Sequence, residues 1–82
     1  MVYNSTMSKI KKQVEELIKS RNEVYRIVGW SGLELKVELK NIKFNKDERA
    51  YIKVEMNDAN TKYRVVSTLN GFSDLAGKIF LL

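Results

Sequence analysis

Leu33-Glu34-Leu35-Lys36-Val37-Glu38-Leu39-Lys40 is the stretch on which the fold turns. Its strict alternation of apolar and charged residues has the period of a strand with one buried and one wet face. Ile42 and Phe44 then carry apolar side chains on the opposite parity. One strand can do that only with an extra residue, so the spacing predicts a long strand over 33–44 with a bulge near Lys40-Asn41, bent as in small barrels.

Toward the N-terminus, Val24-Tyr25-Arg26-Ile27-Val28 has strand character, and Gly29-Trp30-Ser31-Gly32 is expected to turn the chain into 33–44. Before that the period changes to that of a helix. Met7, Ile10, Val14, Leu17 and Ile18 share one face, with Lys9, Lys11, Lys12, Glu15, Glu16 and Lys19 opposite. The spacing predicts a helix over 6–21, capped by Ser5 or Thr6 and stopped at Arg21-Asn22, with residues 1–5 as a flexible lead.

Toward the C-terminus, Ala50, Ile52, Val54 and Met56 form one inward set, and Tyr63, Val65, Ser67 and Leu69 the next, joined by a turn at Asn57-Asp58-Ala59-Asn60. With Met56 facing Thr61, the inward pairs are Val54–Tyr63 and Ile52–Val65. The outward pairs are then Glu55–Lys62, Lys53–Arg64 and Tyr51–Val66. Asn70-Gly71 breaks the chain, and Ser73-Asp74 can cap a short helix carrying Leu75, Ala76, Ile79 and Phe80. Lys78–Leu82 has a fifth strand as its alternative.

The fold class expected is therefore α+β, one domain over 1–82. It comprises an N-terminal helix, a curled antiparallel sheet of about four strands and a short C-terminal helix. The alternative is a helix followed by a small five-stranded barrel. In outline the first is similar to the double-stranded-RNA-binding domain. That family's Lys-rich phosphate-binding turn is matched here by Ser73-Asp74-Leu75-Ala76-Gly77-Lys78, which has a single cation. The second outline is similar to Sm-like proteins, without an Sm motif.

Of the 82 residues, 44% are apolar, enough for one core. There is no Cys and no His, which removes thiolate nucleophiles, disulfides, thiolate metal sites and imidazole acids, bases or ligands. Neither a phosphate-binding Gly-rich loop nor an EF-hand loop occurs, and no cofactor or metal is expected. The N-terminus has no export signal, and Ile79-Phe80-Leu81-Leu82 is far too short to cross a membrane, so a cytoplasmic protein is expected. Eleven Lys and seven Asn against three Ala and no Pro follow the codon bias of an AT-rich genome, pointing to a low-GC bacterium or its phage.

The net charge is +5, divided as about +2 up to Glu23, none over 24–39, +3 over 40–64 and none beyond. Three groups of residues stand out. Lys53 opposite Arg64 would be a like-charge pair relieved by an anion, with Tyr51 beside it and Lys43 (with Lys46 and Arg49) close by. This basic-aromatic face would hold an acidic protein, another anionic ligand or a nucleic acid. Glu34, Glu38, Asp47, Glu48 and Glu55 are interleaved with these cations, so the competing reading is a solvated mixed-charge face. Trp30, between Gly29 and Gly32, is either a partner anchor or a lid on the core. The apolar tail, through Ile79, Phe80 and Leu82, either tucks into the core or meets a second copy.

These features are most compatible with a non-catalytic, self-associating binding or inhibitory protein that occupies a partner protein or anionic ligand. The alternatives are a nucleic-acid-binding module using Lys43, Tyr51, Lys53 and Arg64, and an RNA-cleaving toxin that works without His.

Overall fold

A computed structural model describes residues 2–82, with side chains from Met7 onward. Helix α1 spans Val2–Lys19 and is followed by strands β1 (Val24–Ser31), β2 (Glu34–Leu39), β3 (Ala50–Met56), β4 (Lys62–Leu69) and β5 (Ile79–Leu81). The strands form one antiparallel sheet in sequence order, β1-β2-β3-β4-β5. The architecture is thus α+β as expected, but the sheet is not closed, so the barrel alternative falls.

The helix starts at Val2 and not at residue 6, so Ser5 and Thr6 lie inside it; their side chains are outside the described residues. Its apolar stripe behaves as the spacing predicts. Ile10, Val14 and Ile18 are fully buried against one face of the sheet, lined by Leu35, Val37, Ala50, Ile52, Val54, Tyr63 and Val65.

The first hairpin differs from the sequence expectation. β1 runs to Ser31, which faces Glu34, so the turn is Gly32-Leu33 and not Gly29–Gly32. Gly32 has φ +59°, the left-handed value required at the first position of a two-residue hairpin loop. β1 instead carries two register shifts, at Val24/Arg26 and Ile27/Gly29. The bulge expected at Lys40-Asn41 is absent. β2 ends at Leu39, and Ile42 and Phe44 change parity because the chain has left the sheet for a loop over 40–49. Phe44 reaches back onto the core, whereas Ile42 stays exposed.

The β3–β4 register is two residues away from the expected one. Met56 faces Tyr63, Glu55 faces Arg64 and Val54 faces Val65. Asn57 explains the longer loop. Its side-chain oxygen accepts the backbone N–H of Thr61 and of Lys62, both at 2.9 Å, and Asn60 takes a left-handed φ of 58°. Further along, the register shifts again and Lys53 faces Ser67, leaving Val66 as an extra residue on β4. Ser67 and Leu69 are thereby turned out of the inward set in which alternation placed them.

The expected C-terminal helix is only a 3-10 turn over Ser73–Leu75, which buries Leu75 and its neighbour Phe72. Gly77 then donates its N–H to the Val65 carbonyl, and 79–81 pair with β4 as the fifth strand. Arg21 locks this turn to the end of α1. Its guanidinium donates two hydrogen bonds of 2.7 Å to Asp74 and two, of 2.9 and 3.2 Å, to Glu23, and lies 5.5 Å from the centre of the Phe72 ring.

Candidate functional site

Because α1 covers one face of the sheet, the outward positions of all five strands form a second, uncovered face. Its β1–β3 half is a ladder of matched charges. Glu34 faces Lys53 across the strands, and Lys36 faces Tyr51 with its ammonium 5.9 Å from the ring centre. The Glu38 carboxylate sits between Arg26, directly opposite it, and Arg49, whose Nε is 3.4 Å away.

The β4–β5 half is different. Arg64 is the one outward cation there with an acid partner among the described residues, donating a 3.0 Å hydrogen bond to Glu55. Around it, beside Lys62 and Ser67, four outward positions are apolar. Val66 is 38% exposed, Leu69 56%, Ile79 63% and Leu81 75%. Ile79 faces Arg64, Leu81 faces Lys62, and Leu69 faces Tyr51, so these side chains follow one flank of the sheet and end beside an aromatic ring.

The residues singled out by sequence are not gathered in one place. Lys53 faces Ser67, so the like-charge pair with Arg64 does not form and no anion is needed between them. Tyr51 and Lys53 share a shallow concavity with Glu34, Ser67 and Leu69, Arg64 lines another with Met56 and Ile79, and Lys43 lines a third beyond the end of β2. Trp30 lies on the helix side. Its indole N–H donates to the Glu15 carboxylate at 2.9 Å, and the Lys11 ammonium is 5.7 Å from its ring centre.

The apolar tail divides by strand parity. Phe80 turns inward and stacks on Tyr63 with ring centres 5.2 Å apart, and Leu82 packs against the core. Ile79 and Leu81 turn outward. Leu81 is therefore the tail residue that the sequence expectation lacks, and the alternation Ile79-Phe80-Leu81-Leu82 is the signal that reveals it once 79–81 are known to be a strand.

Two places show shifted ionisation. The Arg21 guanidinium holds the carboxyls of Asp74 and Glu23 below the usual carboxylate range by hydrogen bonding, and they in turn hold Arg21 protonated well above its ordinary value. Burial raises the Tyr63 hydroxyl. No three acidic side chains converge to hold a metal ion among the described residues, and no helix there is long and apolar enough to cross a membrane. No protein-family model, characterised protein or solved structure matches the chain.

Proposed function

We propose that this chain is a non-catalytic binding protein that occupies another protein with the β4–β5 flank of its open sheet, and that the same flank pairs two copies of the chain. The observation that supports this reading is the contrast between the two halves of that face. On β2 and β3 the outward positions are charged apart from Tyr51, with Glu34 facing Lys53 and Lys36 facing the Tyr51 ring, as on the wet side of an ordinary antiparallel sheet. On β4 and β5 Val66, Leu69, Ile79 and Leu81 stand exposed among Lys62, Arg64 and Ser67. Single exposed apolar residues are commonplace, whereas several along one flank mark a contact surface.

The edge adds backbone complementarity. Lys78 and Leu82 direct their carbonyl and N–H, respectively, toward β4, so Ile79 and Leu81, on the alternate parity, leave theirs at the open edge. A two-fold axis at Phe80 sets Ile79 of one copy against Leu81 of the other and closes four backbone hydrogen bonds, an isologous contact that needs no second type of surface. The lack of His and Cys supports binding over chemistry. An origin in a phage or mobile element, with an inhibitory role in a bacterial cytoplasm, accords with the codon bias.

Mass measured by light scattering over a concentration series tests the reading. The chain has a mass of 9.5 kDa and is expected to approach about twice that at tens of micromolar, whereas an Ile79→Lys/Leu81→Lys variant stays monomeric. Immobilised chain and variant, exposed to the same bacterial lysate, are expected to differ in the protein they retain. A monomeric parent chain whose lysate retention equals that of the variant would refute the proposal.

A further inference from the structure

The loop over 40–49 carries a cation at every third residue, Lys40, Lys43, Lys46 and Arg49. Arg49 is engaged with Glu38, 3.4 Å away. Like every lysine among the described residues except Lys19, these three have no carboxylate within ion-pair distance, whereas all four arginines do. All three line one hollow of about 390 Å³ with Tyr25, Ile42 and Phe44. The loop's own acids, Asp47 and Glu48, are not in that lining; Glu38 is, with its carboxylate held by Arg26 and Arg49.

Tyr25 completes the arrangement. It sits at the first register shift of β1, between Val24 and Arg26, and is 68% exposed. Among the described residues it has neither an aromatic nor a cationic partner, unlike Tyr63, which stacks on Phe80, and Tyr51, which lies under Lys36. A bulge re-aims a side chain, and here the effect is to set a free aromatic ring beside three unpaired ammoniums.

We infer that this hollow is a binding site for single-stranded nucleic acid, in which Lys40, Lys43 and Lys46 neutralise successive phosphates while Tyr25 stacks on an unpaired base. The chemistry discriminates between anionic ligands. Lysines acting as point charges suit a phosphodiester backbone, and an open aromatic face gains from a base that is not already stacked in a duplex. An acidic peptide would satisfy the lysines and leave Tyr25 without a role. The site shares no residue with the β4–β5 flank, so either proposal can fail without the other.

Fluorescence anisotropy of a labelled oligo(dT) of about a dozen nucleotides, titrated with the full chain at several salt concentrations, tests the inference. With three phosphates neutralised, the logarithm of the affinity is expected to fall with that of salt with a slope of about −2. Lys43→Gln/Lys46→Gln should reduce the slope to about −0.7. Tyr25→Ala should weaken binding by roughly 5- to 100-fold at unchanged slope, the loss of one stacked base. Lys53→Gln, which is not in the lining of the hollow, should change neither, and circular dichroism verifies that each variant is folded. Absence of oligonucleotide binding at low salt would overturn the inference. So would a folded Tyr25→Ala variant that binds like the parent, or a polyglutamate peptide of similar length that binds as tightly as the oligonucleotide.

Discussion

Replacing Trp30 with Phe keeps an aromatic ring between α1 and β1 but deletes the N–H that reaches Glu15 at 2.9 Å. Hydrogen bonds to charged groups contribute about 1.5–3 kcal/mol, and the Glu15 side chain is 32% exposed, which places this one at the lower end. The smaller ring gives up a little packing, while the Lys11 ammonium can still lie over it. The total is a loss of about 1.5–2 kcal/mol, or roughly 6–15 °C in the melting temperature of a domain this size. Circular dichroism is the right assay, since the substitution removes the chain's single tryptophan. A double-mutant cycle with Glu15→Ala isolates the contact, with an expected coupling of about 1 kcal/mol. If Trp30→Phe is neutral and the coupling is below about 0.3 kcal/mol, Trp30 is not a strut between helix and sheet, and its availability to a partner has to be reconsidered.

Other consequences follow from the Arg21 clamp and from the β3–β4 loop. Asp74 and Glu23 are lowered in the folded chain, so the stability they contribute is complete above the ordinary carboxylate range and is lost as pH falls through their folded values. The urea midpoint should therefore be level between about pH 7 and 5 and drop below about pH 4, with a shallower drop in Asp74→Asn; parallel profiles would count against the clamp. Asn57→Ala leaves the N–H groups of Thr61 and Lys62 without their shared acceptor and should cost about 1–2 kcal/mol by urea denaturation, whereas Asp58→Ala, the neighbouring residue and no partner in those bonds, should be close to neutral.

The helix, the inward faces of β2 and β3, and the antiparallel order were all legible because each rests on a period that burial enforces. What was not legible shares a cause. Moving β4 by two residues keeps every side chain on its own face, so alternation is equally content with Val54–Tyr63 and with Val54–Val65. The choice lay with Asn57, whose side chain holds a longer loop. The extra residue at Val66 leaves no trace in a pattern that reads Val65-Val66-Ser67-Thr68-Leu69, yet it turns Leu69 outward and opens the apolar flank. Ser73-Asp74 has the chemistry of a helix start, but Gly77, at φ +85°, ends the turn after one round and the chain pairs with β4 instead. The like charges Lys53 and Arg64 are opposite one another only in the shorter-loop register, and the exposure of Tyr25 has no periodic signal because a bulge produces it.

The central claim is that Ile79 and Leu81 form a contact surface. Its most direct measurement is the solution mass of the chain beside that of Ile79→Lys/Leu81→Lys across a concentration series. A concentration-dependent rise from 9.5 kDa toward about twice that value is expected for the parent and a constant 9.5 kDa for the variant, with both folded by circular dichroism. Two superimposable curves, whether both monomeric or both dimeric, would contradict it.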